Sequence, residues 1–149
     1  MITKFNSFDS PIIVDMEDKS TEHYDFLSKY FTIPFSVEDF YSNSKIEITT
    51  ARTTNKLVGV FLFVLNNDRI HMNYTAVDEK YRNKGINGKI KDFIINYAKE
   101  YGITMITTNV RKSNEYSLKT FLSSGFQVND KAIGKYPDGE EKIPLYLKL

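Results

Sequence analysis

Residues 70–97, IHMNYTAVDEKYRNKGINGKIKDFIINY, run from a strand through a short basic turn with two glycines into an amphipathic helix. In the helical part Ile86, Ile90, Phe93, Ile94, Tyr97 and Ala98 recur at helical spacing, and Gly102 closes the segment. A helix that opens on Arg82-Asn83-Lys84-Gly85-Ile86-Asn87-Gly88 aims its unpaired backbone N–H groups and the positive end of its dipole at one spot. That arrangement suits an anion such as a phosphate. Arg82, Lys84 and Lys89 add positive charge around it, and the glycines let a bulky ligand approach the backbone without meeting a Cβ. In isolation the same residues would read as solvated charges and ordinary turn glycines.

Outward from this stretch the hydrophobic period changes in an informative order. Residues 12–14 form a short strand, and residues 17–31 place Tyr24, Leu27, Tyr30 and Phe31 on one helical face, with His23 on the helix surface. Pro34 interrupts, and Ser36-Val37-Glu38-Asp39 reads as an N-cap and acidic first turn of a second short helix reaching about Tyr41. Residues 45–52, 57–65 and 69–77 are rich in β-branched and aromatic residues and predict strands, with turns at Thr54-Asn55 and Asn66-Asn67-Asp68. After the helix come a strand over 103–110, a helix over 114–124 ended by Gly125, and strands over 126–131 and 142–148 joined across Pro137-Asp138-Gly139. The expected fold is α+β, one domain over residues 1–149, with a central, mostly antiparallel mixed sheet flanked by helices.

Composition narrows the function classes. The chain has 149 residues with 41% hydrophobic content, enough to bury a core without metal or disulfide support. It has no cysteine, which excludes a disulfide framework, a thiolate metal site and a cysteine nucleophile. With no N-terminal leader and no apolar run of membrane-spanning length, the expectation is a soluble, cytoplasmic protein with no membrane partner. Lys+Arg 20 against Asp+Glu 19 leaves a formal charge of +1, which argues against bulk polyanion binding. Phosphate affinity must therefore be local.

The stretch Ala76-Val77-Asp78-Glu79-Lys80-Tyr81-Arg82-Asn83-Lys84-Gly85-Ile86-Asn87-Gly88 resembles the acetyl-coenzyme A motif of the GNAT N-acetyltransferases. Asn109-Val110-Arg111-Lys112-Ser113-Asn114-Glu115, followed by Phe121 and Gly125-Phe126, is similar to that family's strand, Asn-containing turn, helix and Gly-Phe ending. The two motifs stand in the family's order and separation. The resemblance covers roughly two-thirds of the chain, and it departs from the pattern twice. Asn87, followed by Gly88, stands where a second small residue is usual, and Phe121 stands where a tyrosine is proposed to protonate the departing thiolate. Phenylalanine has no proton to give.

The resemblance implies acetyl-coenzyme A as cosubstrate and a primary amine as acceptor, with direct attack on the thioester and neither a metal nor a covalent enzyme intermediate. It places Ala76, Val77, Arg82, Asn83, Lys84, Gly85, Ile86, Asn87, Gly88 and Lys89 along the cofactor, with Asn114 and Ser117 facing its pantetheine arm from the second motif. Strand alternation sets His71, Asn73, Thr75 and Val77 on one face. His71, six residues before Val77, occupies a position where family members carry a catalytic Glu or His, so it is the expected base or water-orienting group. Tyr116, Tyr74 and solvent are the candidates for the missing acid. The aromatic group Tyr24, Tyr30, Phe31, Phe35, Phe40 and Tyr41 reads as core packing, in a region that would border the acceptor site. A homodimer is compatible with this reading. Two other readings compete: a GNAT-like domain that binds acyl-coenzyme A without turnover, and a KH-type nucleic-acid loop built on Gly85-Ile86-Asn87-Gly88.

Overall fold

β4 (Lys56–Asn66) carries the longest apolar run, and its position explains why. In the computed structural model, which describes residues 3–5, 11–54 and 56–149, Leu57 to Phe63 are all buried because β4 lies mid-sheet with both faces covered. The strands are β1 (Thr3–Phe5), β2 (Ile12–Glu17), β3 (Ile46–Thr53), β4 (Lys56–Asn66), β5 (Arg69–Val77), β6 (Met105–Arg111), β7 (Gln127–Val128), β8 (Gly134–Lys135) and β9 (Glu141–Lys148). They form one sheet in the order β1-β2-β3-β4-β5-β6-β9-β7, with β8 also pairing β9. All its pairings are antiparallel except β5 with β6, which the crossover helix α3 (Ile86–Glu100) makes parallel. The expected α+β architecture holds.

Helices cover both faces. On one, Ile86, Ile90, Phe93, Ile94 and Ala98 of α3 join Phe121 of α4 (Glu115–Ser123) over Val58, Phe61, Phe63, Ile70, Met72 and Val77. On the other, Phe26 and Leu27 of α1 (Thr21–Ser28) and Phe40 of α2 (Val37–Ser42) pack over Ile46, Ile48, Val60, Leu62 and Ala76.

Local departures from expectation have identifiable causes. The first helix begins at Thr21 because Glu17 still belongs to β2, paired with Ile48, and Ser20 is the N-cap. His23 is not on the helix surface: it is 1% exposed, and its Nδ1 accepts from Ser20 N–H at 3.1 Å while Nε2–H donates to Glu17 Oε1 at 2.9 Å. Residues 126–131 make only the two-residue β7 before a 3-10 turn, Asp130–Ala132. β1 was not anticipated, and Asn55 of the Thr54-Asn55 turn lies outside the described residues. The other hairpin turns at Asn67, whose φ of 58° is the left-handed conformation that Asn tolerates.

One irregularity reorients β5. Leu62 pairs with Tyr74 and Phe63 with Met72, so Asn73 is an extra residue on β5, a bulge. Before it Ile70 and Met72 face α3; after it Tyr74 and Ala76 face α1 and α2, and Val77 faces α3. His71, opposite Val64 and between Ile70 and Met72, therefore lies on the face away from Thr75 and Val77. The expectation that His71, Asn73, Thr75 and Val77 share a face fails because one inserted residue inverts a period of two.

Candidate active site

β5 and β6 pair only over four residues, from Arg69 with Met105 to Met72 with Thr108. Beyond that point β5 runs on to Val77 and β6 to Arg111, with no further pairing between them among the described residues. Thr108 marks the end of the join by donating its hydroxyl to Met72 C=O at 3.0 Å. The backbone of β5 from Asn73 to Ala76 thus has no strand partner on the side of the parting, as an open sheet edge does.

The loop after β5 closes one end of this opening. Asp78 N–H donates to Val58 C=O at 2.8 Å, and its carboxylate accepts from Lys80 N–H at 2.9 Å, which starts the 3-10 turn Glu79–Tyr81. Arg82 Nε–H donates to Val77 C=O at 2.9 Å, and its guanidinium lies 5.2 Å from the centre of the Tyr30 ring. Its charge is therefore held in place. Asn83 (φ 60°) and Gly85 (φ 84°) are left-handed, which turns successive amides inward. The first bond inside α3 is Lys89 N–H to Gly85 C=O at 3.0 Å, so the amides of Ile86, Asn87 and Gly88 precede the intrahelical ladder.

A cleft of about 370 Å³ occupies the space between this loop, the free edge of β5 and α4. It takes in Ala76, Val77, Arg82, Asn83, Gly85, Ile86 and Asn87 on one side and Asn114, Tyr116 and Ser117 on the other. Asn114 Oδ1 caps α4 by accepting from Ser117 N–H at 3.1 Å. Lys84, Gly88 and Lys89 do not line the cleft, and all three are exposed. Tyr116 reaches the wall but is 59% exposed. The cleft wall also takes in Tyr30, Phe31, Thr75, Tyr81 and Thr120. Of these Thr120 carried no signal in the sequence, because its neighbours come from α3.

Asn87 bears directly on ligand fit. Its Oδ1 is buried without a hydrogen-bond partner among the described residues, and its side chain lines the cleft. An orphaned acceptor at the opening of a helix is costly unless something in the cleft meets it. The wall thus combines first-turn amides for an anion, the strand edge for amide groups and an unsatisfied polar side chain between them. Acyl-carrying nucleotides with an amide-rich arm fit this set.

His71 is not brought to this cleft. It lines a separate hollow with Arg69, Met105, Thr107 and Tyr146, where its Nδ1 lies 2.7 Å from Thr107 Oγ1. Burial, and then the charge of Lys142, lowers its pKa below the ordinary imidazole value. Tyr74, the other candidate acid, is packed against Phe31 and Phe35 at 5.3 and 6.3 Å between ring centres, does not line the cleft, and burial raises its pKa. Among the described residues no helix is long and apolar enough to cross a membrane, and no group of three His, Asp or Glu side chains has metal-holding geometry. Gly85-Ile86-Asn87-Gly88 follows a strand and a 3-10 turn, whereas the nucleic-acid loop reading requires a helix before it.

Comparison with known proteins agrees with this architecture. The family model described as "Acetyltransferase (GNAT) family" matches residues 16–126, and the chain belongs to that family. No curated protein matches the chain. An acetyltransferase from Bacillus subtilis in complex with CoA is 22% identical, with a TM-score of 0.73 over 91% of this chain and 97% of the other. The ribosomal-protein-S18-alanine N-acetyltransferase from Escherichia coli is 20% identical, with a TM-score of 0.76 over 91% of this chain and 93% of the other. A GNAT family acetyltransferase from Elizabethkingia anophelis with acetyl-CoA bound is 19% identical, with a TM-score of 0.73 over 95% of this chain and all (100%) of the other. These likenesses establish a shared fold.

Proposed function

We propose that this chain moves an acetyl group from acetyl-coenzyme A to a primary amine by direct attack. The single observation that carries the reading is the junction of two features in one cleft: the amide-lined opening of α3 and the unpaired edge of β5 where β6 parts from it. In this reading the amides of residues 85–88 and the fixed guanidinium of Arg82 hold the diphosphate. On the side away from β4, the backbone of Thr75 to Val77 that Arg82 leaves open pairs with the amides of the pantetheine arm as a further strand would, while Asn114 and Ser117 close over it from α4. A backbone N–H of β5 next to the thioester carbonyl stabilises the charge that develops on its oxygen. Solved structures of the same fold hold CoA or acetyl-CoA, which supports the choice of cosubstrate.

Among the described residues no Asp, Glu or His lines the cleft. The amine therefore enters as its neutral fraction, and water carries away its proton. His71→Ala should keep kcat within about threefold of wild type, with no imidazole-like step lost from the pH profile, because the side chain faces the other way across the Asn73 bulge. A fall of a hundredfold or more would restore His71 as the base.

The direct test is release of free thiol from acetyl-coenzyme A by the full chain against a panel of amines, run beside calorimetric titration with coenzyme A. Turnover supports the proposal. Tight coenzyme A binding with no turnover on any amine would favour the non-catalytic reading, to which the missing hydroxyl at Phe121 lends its one observation. Absence of binding would end both.

A further inference from the structure

Lys91 is the one buried lysine or arginine among the described residues, 2% exposed, in the seam between α3 and α4. Its Nζ donates to Thr120 Oγ1 at 2.6 Å and sits 3.6 Å from the centre of the Phe121 ring. It forms no ion pair among the described residues. Asp92, next on α3, is the charged neighbour that favours the ammonium; from α4 it is faced by the Thr120 hydroxyl and the Phe121 ring, neither of them charged. A leucine would fill this seam without desolvating a charge.

Thr120 connects this buried ammonium to the cleft. Its side chain is on the cleft wall, it accepts from Lys91, and its own hydroxyl donates to Ser117 C=O at 2.9 Å. Rotation of that hydroxyl turns its proton from the Ser117 carbonyl into the cleft, while Lys91 stands behind it ready to replace the proton. Tyr116 on the same wall is open to water, and Phe121 offers no hydroxyl in the seam.

We propose that Lys91, acting through Thr120, supplies the proton taken up by the departing sulfur; this rests on the acetyltransferase reading above. The amine nitrogen bonds to the thioester carbonyl carbon, the C–S bond breaks with its electron pair going to sulfur, and the Thr120 O–H gives its proton to that sulfur. Thr120 takes a proton from Lys91 Nζ, leaving a neutral amine. Water receives the proton that the new amide nitrogen sheds, and solvent recharges Lys91 once products leave. The direction is favourable because burial lowers the pKa of Lys91 to about 8, near that of an ordinary thiol rather than of an ordinary lysine. An unburied lysine would hold its proton too firmly.

The chain contains no cysteine, so coenzyme A bound to excess protein is the only thiol in the sample. The pH dependence of its alkylation by iodoacetamide reads the pKa of the bound thiol. In the wild type this pKa should lie about one unit below that of free coenzyme A, because a nearby cation favours the thiolate. Lys91→Met should return it to the free value, leave coenzyme A affinity within about threefold, lower kcat about tenfold and remove the fall in kcat above about pH 8. Adding Phe121→Tyr to Lys91→Met should recover part of the rate by restoring a hydroxyl to the seam. Thr120→Val, which keeps the ammonium and cuts the path, should lower kcat in the same way and serves equally if Lys91→Met does not fold. A bound thiol that titrates alike in wild type and Lys91→Met overturns the proposal, as does a loss of affinity with no change in thiol pKa. Wild-type chain that binds no coenzyme A overturns the acetyltransferase reading itself.

Discussion

Asn87→Asp should cost the protein about a hundredfold or more in coenzyme A affinity while leaving its melting temperature unchanged or slightly higher. The two side chains have the same shape, and Asn87 lines the cleft at the second position of α3, so the substitution changes charge and little else. A carboxylate there faces the diphosphate that the first-turn amides are proposed to hold. At about 5 Å and an effective dielectric near 20, each pair of like charges repels by about 3 kcal/mol, which is about two decades in affinity. Stability moves the other way. An acidic group in the first turn of a helix gains about 0.3–1 kcal/mol from the dipole, which offsets the cost of its partial burial. Calorimetric titration and a thermal melt of the same sample read both signs at once, and an unchanged affinity would remove the diphosphate from this loop. Gly85→Glu is a less selective probe. A Cβ at Gly85 meets nothing within 4 Å, but its φ of 84° would itself cost a side chain about 1–3 kcal/mol of strain.

Removing the Glu17 side chain should be the most damaging single change on the opposite face of the sheet. Its Oε1 accepts from His23 Nε2 at 2.9 Å and Arg52 Nη2 at 2.9 Å, and its Oε2 accepts from Thr50 Oγ1 at 2.6 Å and Arg52 Nε at 2.7 Å. One carboxylate thereby ties β2, β3 and α1 together. Glu17→Ala leaves the His23 N–H and the Thr50 hydroxyl, both at 1% exposure, without that acceptor, a loss of about 3 kcal/mol. Burial alone would raise the Glu17 pKa, but hydrogen bonds from Arg52, Thr50 and His23 outweigh it and pull it down to about 2. A depressed carboxylate pKa gives stability that is complete above the unfolded value of 4.5 and is lost as pH falls toward 2. Urea midpoints for wild type and Glu17→Ala should therefore differ most at neutral pH and converge between about pH 5 and pH 2. A gap that does not narrow with acid would show that packing, not charge, is what Glu17 supplies.

What the chain displays in one dimension is whatever depends on near neighbours. The helical repeat of Ile86, Ile90, Phe93, Ile94 and Ala98, the glycine opening of α3 and the Asn67 turn are local, and the structure places each where its pattern says. One side of the cleft was legible for the same reason, since Ala76, Val77, Arg82, Asn83, Gly85, Ile86 and Asn87 come from one short stretch of chain. The misplacements share the opposite cause. The Asn73 bulge is created by pairing with β4, and nothing around Asn73 in the sequence announces it. His23 looks like a polar helix position until Glu17 at the end of β2 comes within 2.9 Å. Lys91 looks like one more solvated lysine until α4, 29 positions later, buries it. Short-range pattern finds the scaffold, while long-range packing decides which polar groups are dry.

The four-residue seam between β5 and β6 also bears on how the molecule breathes. On either side of this seam the pairing is longer, eight positions between β4 and β5 and seven between β6 and β9, so of these three joins the one where the strands part is the thinnest. Amides of β5 beyond Met72 have no partner strand to slow their exchange with solvent on that side. A ligand lying along that edge would supply the missing rung after rung, so deuterium uptake at residues 73–77 should drop on saturation by more than at any segment of β3. In that sense the protein carries an unfinished sheet, which a ligand along β5 would complete.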